Sequence, residues 1–154
     1  MRNEDIIYEF YKESIEGLNG LILNDKDLWY SYVVNLPLNL QVVYTIIIFH
    51  QQVFNGGFHQ YFYNSYGQFA YLTIENLNLI NAYKSSNLLS KALVLVNYEE
   101  LNESDFRAKI FNREIQRLIN FDDELCETLD ILNNEYDEVD EDLEHLMVKY
   151  LIKM

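Results

Sequence analysis

One proline and five glycines in 154 residues leave this chain little of the material from which sheet proteins build their frequent reversals. Helices need fewer breaks, and the apolar residues recur at helical spacing. Ile6, Ile7, Phe10, Ile15 and Leu18 suit a first helix, up to the breaks at Gly17 and Gly20. Asp25 to Val34 predicts a short helix with Trp29 facing inward, stopped ahead of Pro37. Leu38 to Phe54 predicts one long, buried helix. Its β-branched run (Val42, Val43, Thr45, Ile46, Ile47, Ile48) makes a strand the rival, but 17 positions pass without a turn residue. Length decides for helix.

Asn55-Gly56-Gly57 then reads as a helix C-cap, because glycine takes the left-handed conformation at little cost. Further helices follow through His59 and Tyr61 to Gly67, over Phe69–Tyr83 with Leu72, Leu77, Leu79 and Ile80 inward, over Asn87–Val96, and over Ser104–Asn120. Two closing stripes are the clearest. Leu118, Phe121, Leu125, Leu129, Leu132 and Tyr136 form one, and Val139, Leu143, Leu146, Met147, Tyr150 and Leu151 the other. No repeat or linker divides residues 1–154, so the expectation is a single all-α domain, a bundle of seven or eight helices.

The charge is unevenly placed. Residues 1–98 hold eight acids against five bases, a net of −3, whereas residues 99–144 hold seventeen against four, a net of −13. Between Leu118 and Glu144 there are twelve carboxylates and no Lys or Arg. Acids at a helix start favour its dipole, by about 0.3–1 kcal/mol each when exposed. That accounts for Asp122, Asp123 and Glu124, and for Asp140, Glu141 and Asp142. It does not account for the missing bases, since an exposed helix normally mixes signs and gains from i,i+4 pairs. Asp123, Glu127 and Asp130 share one face, and Glu135, Asp137, Glu138, Asp140, Glu141 and Glu144 continue the series. These nine are the candidate partner-binding residues, and their field selects a cationic protein over nucleic acid or anionic lipid.

Other function classes find little support. The longest apolar run, Val42 to Phe49, is far too short to span a bilayer, and the N-terminus lacks the basic start and apolar stretch of a signal peptide. The lone Cys126 fits a reducing compartment, so a cytoplasmic protein is expected. His50, His59 and His145 with Cys126 do not make a zinc set. Asp142 and His145 stand at the spacing of a di-iron helix without a second copy. No catalytic constellation, metal site or cofactor is expected, and the protein reads as a non-enzyme.

The segment Gln52-Val53-Phe54-Asn55-Gly56-Gly57-Phe58-His59-Gln60-Tyr61-Phe62-Tyr63-Asn64-Ser65-Tyr66-Gly67 is the most distinctive motif. It resembles the signature of the bacterial DMP-type DNA-mimic family. Leu129, Asn134-Glu135-Tyr136, Glu141-Asp142-Leu143 and Tyr150-Leu151-Ile152 match that family's closing helices in type and spacing. The similarity covers about residues 38–152 and leaves residues 1–35 unmatched. It implies an acidic, helical, dimeric protein, and a basic DNA-binding protein such as a transcription factor as the partner, bound in place of DNA.

The motif itself reads as structural. Gly56-Gly57 allows a tight turn, Phe58, Tyr61 and Phe62 bury against the long helix, and Asn55 and Asn64 are expected to cap helix ends through their side chains. Two alternatives remain beside the mimic: an immunity-type binding module using the same acidic surface, and a small-molecule binder of the His59–Tyr66 region in which His50, His59, Gln60 and the tyrosine hydroxyls converge.

Overall fold

A computed structural model describes residues 1–153, and all of their regular structure is helical. The order is α1 (Asn3–Ile15), α2 (Gly20–Leu23), α3 (Lys26–Val34), α4 (Leu38–Tyr63), a 3-10 turn (Tyr66–Phe69), α5 (Ala70–Leu79), α6 (Tyr83–Val96), α7 (Glu103–Phe111), α8 (Gln116–Ile119), α9 (Asp123–Asp137) and α10 (Leu143–Ile152). Two of these, α2 and α8, are single turns, which leaves eight longer helices among the described residues.

The 26-residue α4 is the centre on which the others pack: α1, α5 and α9 lie against it, and α3, α6, α8 and α10 touch it as well. This explains how a β-branched run becomes helix. Val42, Val43 and Ile46 are fully buried, so tertiary packing outweighs a propensity worth only tenths of a kcal/mol per residue. Polar residues inside are matched. The Thr45 hydroxyl donates to the Gln41 carbonyl at 2.9 Å and accepts from Asn76 Nδ2 at 2.9 Å, while Gln41 Nε2 donates to the Val34 carbonyl at 3.1 Å, satisfying the end of α3. Trp29 faces inward as expected, its indole N–H donating to the Tyr44 hydroxyl at 3.1 Å.

The glycine break falls where the sequence places it. α4 bends at Gly56 (φ −146°, ψ 15°) and Gly57 (φ 77°, ψ −177°), and Gly57 occupies a region essentially closed to residues with a Cβ. Elsewhere the boundaries differ from expectation. The Ser104–Asn120 helix is in fact α7 and α8, parted at Arg113, which has φ 56°. Phe69–Tyr83 ends as helix at Leu79, Asn81 turns at φ 68°, and α6 already begins at Tyr83, four residues ahead of the expected Asn87. Phe121 has φ 52° and is 56% exposed, so it leaves the apolar stripe. Leu79 is exposed as well. The inward face of α5 is Ala70, Thr73, Asn76 and Leu77, continued by Ile80 just past its end, and the expected Leu72 is partly buried against the core around Trp29 and Phe69.

These breaks share one geometry. At Arg113 the Glu114 amide donates to the Lys109 carbonyl at 2.9 Å and the Arg113 amide to Ile110 at 3.2 Å. At Phe121 the Asp122 amide reaches Arg117 at 2.9 Å, and at Asn81 the Ala82 amide reaches Leu77 at 2.8 Å. Each closes its helix as glycine does in a Schellman turn, with Arg, Phe or Asn in the left-handed position. Scarce glycine therefore did not mean scarce turns.

Candidate functional site

α9 presents two unlike faces. Leu125, Leu129, Leu132 and Tyr136 are buried against α4 and α6, as their spacing predicts. Asp123, Glu127, Asp130, Glu135, Asp137, Glu138, Asp140 and Glu144, on α9 and the connection into α10, are all exposed. Among the described residues none of these eight takes part in an ion pair. Asp122 differs. It caps α9 by accepting the Leu125 amide at 3.0 Å and pairs with Arg117 at 2.9 Å, and these two contacts hold its carboxyl below the usual carboxylate range.

Glu135, Asp137 and Glu138 stand at the C-terminal end of α9, and no base occupies that last turn. A helix C-terminus is electronegative and favours cations. Acids there have the wrong sign for helix stability, so dipole pairing explains the acids in the first turns of α9 and α10, Glu144 among them, but not these three.

Glu141 has a structural task. Its carboxylate accepts the Lys84 amide at 2.9 Å, the Ser85 amide at 2.8 Å and the Ser85 hydroxyl at 2.8 Å, and so caps α6 from a distant point of the chain. Asp142 likewise caps α10 through the His145 amide at 3.0 Å.

The glycine-aromatic motif is tied into the interior. Phe58 and Phe62 are fully buried and Tyr61 nearly so, its hydroxyl 3.3 Å from Thr73 Oγ1. His59 Nε2 donates to the Leu118 carbonyl at 2.8 Å, and its ring stacks on Phe121 with centroids 4.4 Å apart. The expected side-chain capping by Asn55 and Asn64 does not occur. Asn64 Nδ2 and Gln60 Nε2 instead share the Gln52 Oε1 acceptor, at 3.0 and 3.1 Å, and the free N–H after the glycines is satisfied from α9, where Asn133 Oδ1 accepts from Phe58 at 2.8 Å. Nothing in the local sequence marks Asn133, because its partner lies 75 positions away.

A cleft of about 580 Å³ opens elsewhere, between α1, α4, the C-terminal end of α9 and the start of α10. Tyr8, Tyr11, His50, Phe54 and Tyr136 supply aromatic walls, with Asp137 and Glu144 at its acidic side. His50 Nδ1 lies 2.7 Å from the Tyr136 hydroxyl. Burial, with the charges of Glu141 and Asp137, keeps that hydroxyl protonated far above neutral pH, and the imidazole tautomer sets which of the two groups donates. Although much of the His50 ring faces solvent, the packing around it depletes water and lowers its pKa. Sequence reasoning named His50 for a ligand pocket but grouped it with His59 and Gln60, which do not line this cleft: His59 bonds the Leu118 carbonyl and Gln60 the Gln52 side chain. The walls of the cleft come from both chain ends and the middle, so no local pattern marks it.

Among the described residues no group of three His, Cys, Asp or Glu side chains could hold a metal ion. Partial burial and the charges of Asp123 and Asp122 raise the Cys126 thiol, which disfavours the reactive thiolate. No helix among the described residues is long and apolar enough to cross a membrane.

A family model described as DMP19-like protein matches residues 34–154. The chain belongs to the DMP19-like family. The match starts at the end of α3 and takes in the glycine-aromatic motif, α9 and α10, so it covers the stretch on which the resemblance was drawn. The helices before it are nonetheless packed into the DMP19-like part, with α1 against α4 and α10 and Ile7 in their shared core. No curated protein and no solved structure matches the chain.

Proposed function

We propose that this DMP19-like protein is a binding protein and not an enzyme, and that its exposed acidic face occupies the nucleic-acid-binding surface of a basic protein such as a transcription factor. The observation that carries this reading is the set of eight exposed carboxylates without an ion pair, three of them at the end of α9 where the helix dipole opposes them. Like charges in i,i+3 and i,i+4 rows cost roughly 0.2–0.5 kcal/mol each, and a cationic surface would relieve them. Duplex DNA offers a basic groove one phosphate per about 3.4 Å of each strand. Carboxylates about 5–6 Å apart on a helix are sparser but engage the same Lys and Arg side chains. The same reading takes the protein to be cytoplasmic and homodimeric, and to contact neither nucleic acid nor membrane directly.

The test is a tagged capture from cell extract at low and high salt, followed by competition of the captured protein with duplex DNA. The comparison is a variant with Glu127→Gln, Asp130→Asn, Glu135→Gln and Glu138→Gln. Weaker capture and a shallower salt dependence in the folded variant support the reading, since fewer charges take part. Unchanged capture excludes this face as the interface.

A further inference from the structure

The cleft beside His50 is a cavity of the size that binds side chains and small ligands, about 580 Å³. Its walls are apolar and aromatic. Ile7, Leu143 and Met147 are buried in its floor, while Tyr8 and Phe54 are 60% and 73% exposed. Large aromatic faces left open to solvent offer their π-electrons to an incoming cation.

Charge selects the occupant. No Lys or Arg is among the lining residues, whereas five carboxylates are. Three of the five are engaged: Glu4 pairs with Arg2 at 2.7 Å, Glu141 caps α6 and Asp142 caps α10. Asp137 and Glu144 have no hydrogen-bonding or ionic partner among the described residues; Asp137 stands at the C-terminal end of α9, which adds its own negative potential, and Glu144 stands in the first turn of α10. His50, with its pKa lowered, is neutral at pH 7 and does not repel a cation. An apolar stem with a positive end fits both features. A neutral apolar group would leave two carboxylates unanswered, and an anion would be repelled.

We infer that this cleft receives a lysine or arginine side chain of the bound partner, with the methylene stem against Tyr8, Phe54 and Tyr136 and the charged end at Asp137 and Glu144. Continuity with the acidic face favours a protein side chain over a free amine, because Asp137 and Glu144 belong to the same exposed series as Glu138 and Asp140. The inference rests on the reading of a basic partner, and it converts a diffuse electrostatic surface into one with a specific anchor.

The experiment titrates the intact protein with terminally blocked Gly-Lys-Gly and Gly-Arg-Gly peptides, a Gly-norleucine-Gly control and spermidine, followed by amide NMR shifts. A basic peptide that shifts Gln51 and the 137–144 segment, at least tenfold tighter than the norleucine peptide, supports the site. So does a loss of fivefold or more in the exposed double variant Asp137→Asn, Glu144→Gln. Equal binding of the norleucine peptide, an unaffected double variant, or binding of spermidine alone overturns it. The outcome is separable from that of the acidic face, because Glu127, Asp130, Glu135 and Glu138 do not line the cleft. If their fourfold variant keeps full partner capture while peptides occupy the cleft, only the face reading fails. If capture is lost but no basic peptide enters the cleft, only the anchor fails.

Discussion

Glu141, in the connection between α9 and α10, holds Ser85 at the start of α6 by two hydrogen bonds of 2.8 Å, one from the amide and one from the hydroxyl. An anion at a helix N-terminus satisfies donors that have no partner within the helix and favours the dipole. Replacing Glu141 by Ala leaves those donors to water and detaches the α9–α10 connection from α6. The expected loss is about 1–3 kcal/mol in chemical denaturation. Glu138→Ala, at an exposed neighbour without such bonds, should change stability by no more than about 0.5 kcal/mol. Equal effects of the two would mean that the cap contributes nothing.

Gly57 is a second fixed point. Its φ of 77° with ψ near 180° is open only to glycine, and an added Cβ would crowd the Asn133 amide, whose Cγ would be 2.8 Å away. Asn133 is the residue that accepts the Phe58 amide. Gly57→Ala therefore combines backbone strain with loss of that acceptor, and should cost at least about 1–3 kcal/mol. Thermal melts of Gly57→Ala and Asn133→Ala check this. The double variant should lose less than the sum of the two, because both act on one contact.

Much of the fold was legible because it depends on local spacing. The stripe Leu125, Leu129, Leu132, Tyr136 and the break at Gly56-Gly57 need only a helical period and a residue without a Cβ. What escaped was encoded at long range or against preference. Asn76 is buried at an apolar period because Thr45 needs its amide, 31 positions away. Asn133 and Glu141 cap helices that begin far from them in sequence. Arg113 and Phe121 end helices in a conformation that sequence reasoning grants to glycine. The candidate site divides the same way. The acidic face was readable from a run of charges, whereas the cleft is assembled from α1, α4, α9 and α10 and has no signature in any one of them.

Such left-handed residues point to a stabilising change. Glu100 has φ 54° and is exposed, and its side chain makes no hydrogen bond or ion pair among the described residues. An L-residue there costs roughly 1–2 kcal/mol, and glycine returns part of that through its larger unfolded-state entropy. Glu100→Gly should gain about 0.5–1 kcal/mol, seen as a rise of a few degrees in Tm. A lower Tm would show that the turn is not strained.

His50 should give a pH dependence of known sign. Its packing against Phe54 and Tyr136 lowers the folded-state pKa, despite Glu4, Asp137, Glu141 and Glu144 around the same cleft. The unfolded imidazole takes up its proton near pH 6.5. As pH falls through that value the unfolded chain binds the proton first, so stability declines, levelling off below the folded-state pKa. Urea melts from pH 8 to pH 5 should show the parent losing more stability than His50→Gln, and the imidazole resonances should titrate below about 6.5.

The acidic face makes the last prediction, and it needs no partner. Glu127 stands four positions after Asp123 and three before Asp130, and Glu135 and Glu138 crowd the negative end of α9. Each like-charge pair costs a few tenths of a kcal/mol and each misplaced terminal acid about as much. Changing Glu127, Asp130, Glu135 and Glu138 to their amides removes these terms while keeping size and helical period. The fourfold variant should be more stable than the parent by roughly 1 kcal/mol at low salt, with the difference shrinking as salt screens the exposed charges. Denaturation at 20 mM and 500 mM salt measures both quantities. A variant less stable than the parent would mean that these carboxylates hold the fold together, and the case for a face kept charged at the expense of stability would fall with it.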